Sequence, residues 1–128
     1  MNLDLIIGIL NIVLISTTPL VFAGIGELVT EKSGVLNLGL EGLMLVGAVS
    51  GFMSLVIFDN YFYSFIFSII SGVILSSIFA FFVLHLLTNQ IATGLALTIF
   101  GIGLSAMLGK KFTGTPIEGL NPYYFICN

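Results

Sequence analysis

The chain has 128 residues, 58% apolar and only 7% charged, with a mean hydropathy of +1.21 and a formal net charge of −3. Its apolar runs are too long for a globule of this size to bury, which excludes a soluble domain and predicts an integral membrane protein. The three basic residues are all lysines, which excludes a nucleic-acid partner, and the single cysteine, Cys127, excludes a disulfide framework and a cysteine-based metal site.

Four stretches approach the roughly 20 apolar residues that cross a bilayer. The first runs from Leu3 to Gly26. Val21-Phe22-Ala23 resembles a signal-cleavage site. However, the segment starts with Asp4 and no basic residue, and it exceeds the about 7–15 apolar residues of a secretory signal, so it reads as a retained membrane helix. Pro19 inside it removes a ladder donor and predicts a kink, with Thr17 and Thr18 placed to re-satisfy freed carbonyls. A joint from Glu27 to Gly34 follows, where Glu27, Glu31 and Lys32 read as a solvated loop.

The second stretch runs from Val35 to Phe58, but its clean part starts only at Gly42. The third, from Tyr61 to Leu87, is the longest and has room to tilt. The fourth spans Ile91 to Gly109 and carries no charge. The joints Asp59-Asn60 and Thr88-Asn89-Gln90 are short, which favours antiparallel neighbours. The fold class is therefore all-α, a polytopic transmembrane helical bundle of four segments with the second broken near Asn37–Gly42. Tyr61, Tyr63, Tyr123 and Tyr124 supply the polar aromatic residues for the membrane interfaces. Four spans put Lys32 on one side and Lys110 with Lys111 on the other, which favours a cytoplasmic N-terminus.

Small residues recur at spacings that let helices approach closely. Gly47 and Gly51 form one such pair, and Gly101, Ser105 and Gly109 repeat the spacing in the fourth stretch. Ser64, Ser68, Gly72, Ser76 and Ala80 form a row in the third. Steps of four residues drift by about 40° around a helix, so only neighbouring members share a face. Packing within one protein explains these spacings better than a dedicated dimer motif.

Glu41 is the one acid set inside an apolar stretch. An ionisable group at membrane depth costs roughly 2.5–3.5 kcal/mol and reads by default as functional. Two roles stay open for it: lining a solute pathway, or capping the helix that starts near Gly42. Asn37 either bonds a polar ligand or caps a turn. His85 stands alone and reads as an interfacial or packed histidine rather than a metal ligand. No set of side chains has catalytic spacing, and Gly109-Lys110-Lys111 lacks the hydroxyl residue and glycine spacing of an ATP-binding phosphate loop. Any ATP must be hydrolysed elsewhere. The sequence predicts no metal and no cofactor.

Thr18-Pro19-Leu20, Gly26-Glu27-Leu28 and the run from Glu31 through Ser33-Gly34-Val35-Leu36-Asn37-Leu38-Gly39-Leu40-Glu41-Gly42 resemble the N-terminal part of the permease subunits of bacterial ABC importers. The resemblance is to the branch for nucleosides and simple sugars, of which ribose-type permeases are looser relatives. Asn89-Gln90-Ile91-Ala92-Thr93-Gly94, then Gly103-Leu104 and Gly114-Thr115-Pro116-Ile117, are similar to the family's next stretch. It spans roughly Thr18 to Leu120, while the tail from Asn121 to Asn128 departs from the pattern.

Members of that family are more than twice as long, so the whole chain, 1–128, reads as the N-terminal part of one permease domain. The resemblance implies a multi-pass protein of the bacterial inner membrane that is not an enzyme. It also implies an ATP-binding subunit, a second permease subunit and a substrate-binding lipoprotein as partners, besides the lipid bilayer. The motif residues it singles out are Pro19, Gly34, Gly39, Gly42, Asn89, Gln90 and Gly94; Gly47 and Gly51 join them from their spacing, and Asn37 and Glu41 are pathway candidates from their polarity in an apolar stretch. The alternative is a small non-transporting membrane scaffold or assembly protein.

Overall fold

The computed structural model describes residues 3–116, apart from the Asp4 side chain. Tyr123, Tyr124, Cys127, Ile117 and the tail 121–128 lie outside the described residues. Four helices form: α1 (Leu3–Lys32), α2 (Leu40–Phe58), α3 (Tyr61–Ala80) and α4 (Gln90–Gly109). All four are long and apolar enough to cross a membrane. The last turn of α3 widens into a π-helical stretch, Phe81–His85, and a 3-10 turn, Lys110–Phe112, follows α4.

Local chemistry explains where the helices start and stop. Asn60 and Asn89 cap α3 and α4 by accepting the Phe62 N–H (2.8 Å) and the Ile91 and Ala92 N–H groups (3.0 and 3.2 Å). Gly34 ends α1 with φ +82. The Gly34 N–H donates to the Glu31 carbonyl (2.9 Å) and the Val35 N–H to the Thr30 carbonyl (3.1 Å). That is a Schellman closure, which needs a left-handed residue at this position.

Two boundaries differ from those the sequence predicts. The first helix continues through most of the Glu27–Gly34 joint, as far as Lys32, because the Schellman closure at Gly34, not the charges, terminates it. The break in the second segment lies earlier than predicted, at residues 33–39, and Leu40, Glu41 and Gly42 are already helical. The chain also stays helical through Pro19. Thr17 and Thr18 donate to the Val13 and Leu14 carbonyls (2.7 and 2.8 Å), not to that of Ile15, whose ladder donor Pro19 removes.

α2 is the central helix, packed along both α3 and α4, which touch each other little. This corrects the expectation that the tight α3–α4 joint makes those two helices close neighbours. α2 and α3 are antiparallel: Ser64 Oγ donates to the Gly51 carbonyl (2.7 Å), Ser68 Oγ to the Gly47 carbonyl (2.9 Å), and Ser50 and Ser71 share a 2.6 Å hydroxyl contact. Each such interhelical bond is worth about 0.6 kcal/mol in a membrane. Val46, Leu75, Phe79, Val83 and Leu97 fill the core between the three helices. α1 stands apart. It has no buried residue in its membrane-length apolar stretch, and Glu27 near its C-terminal end bonds the body at the Asn37 N–H.

Candidate functional site

The connection between α1 and α2 gathers the polar groups. α2 and α4 run in the same direction, with Leu36 beside Gln90, Leu38 beside Thr98, and Gly42 against Gly101. Gly42 lies two residues into α2, whereas Gly101 lies eleven residues into α4. At 1.5 Å per residue, α2 therefore begins roughly 13 Å further along that shared direction than α4. Residues 33–39 fill the intervening height, so non-helical backbone lies beside the first half of a membrane-spanning helix. Irregular backbone at such depth persists only where protein or a cavity satisfies it.

Side chains satisfy much of it here. The Leu36 N–H donates to Gln90 Oε1 (2.8 Å), and Gln90 Nε2 donates to the Gly34 carbonyl (3.4 Å). Thr98 Oγ1 donates to the Leu38 carbonyl (2.9 Å). Asn37 is buried, and its Oδ1 accepts the Gly39 N–H (2.9 Å). It thus closes an Asx turn that leads the chain into α2. On the other side, Glu27 Oε1 accepts the Asn37 N–H at 3.0 Å.

Glycines let this segment sit against α4. A Cβ at Gly94 would come within 2.8 Å of the Leu38 nitrogen, and one at Gly39 within 3.3 Å of the Gly94 carbonyl. A Cβ at Gly42 would meet the Leu97 carbonyl at 2.7 Å, and one at Gly101 would meet the Gly42 Cα at 2.6 Å. Gly39, Gly42, Gly94 and Gly101 thus form one close seam between α4 and the start of α2. Gly47 and Gly51 belong to the separate seam with α3, and Pro19 stands far along α1 from both.

Glu27 is the site residue that sequence reasoning misplaces. It is half-buried rather than part of a solvated joint, and its Oε2 is enclosed with no donor among the described residues. An enclosed acceptor without a partner costs about 1–3 kcal/mol, more when charged. Its position ten residues before Asn37 carried the only available signal: an acid one turn inside a helix end, facing a glycine-rich break. Glu41 takes the reverse position. It is exposed in the first turn of α2, where the helix dipole favours a negative charge. His85 is exposed and tilts against the Phe81 ring (centroids 5.4 Å apart). No cluster of three metal-ligating side chains forms among the described residues.

The profile of the family described as "Branched-chain amino acid transport system / permease component" matches residues 9–126. The chain belongs to this permease family. It is 41% identical, over 88% of its length, to a Haloferax volcanii protein provisionally named a glucose ABC transporter permease protein. It is 31% identical over 77% of its length to the nucleoside ABC transporter permease protein NupC of Lactococcus lactis. It is 28% identical over 85% of its length to the guanosine ABC transporter permease protein NupQ of Bacillus subtilis. These matches cover 34%, 33% and 37% of the respective relatives, so the chain spans about a third of their length. No solved structure gives a significant match. Family and helices together establish a multi-pass membrane protein of the permease class.

Proposed function

We propose that this chain contributes part of the membrane pathway of an ATP-driven importer for nucleosides or simple sugars, in a bacterial inner membrane. The observation that carries the reading is the non-helical segment 33–39, held at the height of α4 by Gln90, Thr98 and Glu27. Helical backbone offers a solute no free polar groups, whereas a helix start does, and the segment sets the start of α2 at depth beside α4. The relatives' names supply the solute classes, glucose, nucleosides and guanosine. In this reading Asn37 shapes the turn and Glu41, at the exposed start of α2, faces the pathway.

The partners follow from the same reading. A separate subunit hydrolyses ATP, a second permease subunit completes the pathway, and a substrate-binding lipoprotein delivers the solute. The permease itself transports and catalyses no covalent chemistry.

The test is uptake of radiolabelled monosaccharides and nucleosides into vesicles holding the permease with its ATP-binding and solute-binding partners. ATP-dependent accumulation of at least one member of these classes is expected. Background uptake of every solute by a correctly inserted, assembled protein overturns the importer in favour of the scaffold alternative.

A further inference from the structure

We propose that Glu27 is a positioning residue for solute passage, a latch through which α1 holds the unwound segment 33–39 in place. The proposal rests on the importer reading above, but the latch itself does not.

Three side chains from outside the segment hold its backbone. Gln90 and Thr98 come from α4, which is packed along α2. Glu27 alone comes from α1, which has no buried residue in its apolar stretch. The Schellman bonds at Gly34 join residues only three to five apart and stay with the corner wherever α1 leans. The bond from the Asn37 N–H to Glu27 reaches back ten residues. It therefore ties the orientation of α1 to the Asx turn that starts α2. The carboxylate is suited to this: one oxygen takes the Asn37 N–H, and the other is enclosed rather than dissolved in bulk water. A tilt of α1 pulls directly on the backbone that the importer reading places along the pathway.

The experiment uses the assembled permease with Cys127→Ser and a nitroxide at Leu38→Cys, a side chain that points outward. Glu27→Ala is expected to raise the nitroxide's mobility. It should lower maximal uptake about tenfold, the loss expected when one enclosed N–H loses its acceptor, at unchanged half-saturating solute. Glu27→Gln keeps an acceptor for the Asn37 N–H and is expected to retain both the low mobility and most of the uptake, at equal membrane abundance.

Unchanged mobility in Glu27→Ala overturns the latch. Raised mobility with full uptake overturns its role in passage, and a Gln variant as impaired as the Ala variant overturns the hydrogen bond as the cause. If the unsubstituted assembly takes up no solute while the mobility difference persists, the importer reading fails and the latch stands.

Discussion

Replacing Gly101 by alanine puts a methyl group into the backbone of the neighbouring helix. The added Cβ would lie 2.6 Å from the Gly42 Cα and 2.7 Å from the Gly42 carbonyl oxygen, atoms that no rotamer change can move aside. Carbon atoms prefer separations of about 3.5–4.0 Å, so α2 and α4 must part by about 1 Å. Overpacking of this kind costs about 1–3 kcal/mol. Alanine also returns up to about 1 kcal/mol of helix propensity relative to glycine. Gly103→Ala isolates that gain, because a Cβ at Gly103 meets nothing within 4 Å. The difference between the two variants is the packing term itself, about 2 kcal/mol, or a factor of roughly 30 in the folded-to-unfolded ratio. The assay is unfolding in mixed micelles as the mole fraction of sodium dodecyl sulfate rises, followed by far-ultraviolet circular dichroism. Gly101→Ala is expected to unfold at a lower fraction than wild type and Gly103→Ala at the same or a higher one. Equal midpoints for the two variants refute the close α2–α4 seam, and with it the placement of residues 33–39 beside α4.

Gly34→Ala is expected to cost about 1–2 kcal/mol in the same assay through backbone strain alone, because φ is +82 and the surrounding space is open. Gln90→Leu removes the acceptor of the Leu36 N–H and should cost about 1–3 kcal/mol, with faster amide exchange at Leu36 as its local signature. Glu41→Gln and Glu41→Ala separate the two roles of that carboxylate in uptake normalised to membrane abundance. A pathway role leaves both variants abundant but inactive. A capping role leaves Gln abundant and lowers Ala by a cap-sized loss of about 0.5–2 kcal/mol. Glu31→Gln serves as the unaffected control, and wild-type uptake and abundance in both Glu41 variants refute both roles.

The four membrane helices were legible from apolar length, because a bilayer sets a length threshold that composition alone can meet. The capping asparagines Asn60 and Asn89 and the left-handed Gly34 are local chemistry as well, and each acts within a few residues of itself. The run Leu36-Asn37-Leu38-Gly39-Leu40-Glu41-Gly42 marked the site, because glycines and an acid are costly in a lipid-facing helix.

Tertiary structure decided where each of those residues stands. Glu27 and Glu41 are both acids near the break, and no periodicity distinguishes them. Only the turn of residues 33–39 brings the Asn37 N–H onto the enclosed Glu27 carboxylate and leaves Glu41 exposed. The depth at which α2 starts was likewise invisible, since it depends on the contact of Gly42 with Gly101, 59 residues away in the chain. Apolar periodicity cannot encode that register in helices that are apolar all round. Close approach of glycine backbones fixes it, and that approach exists only once the helices have packed.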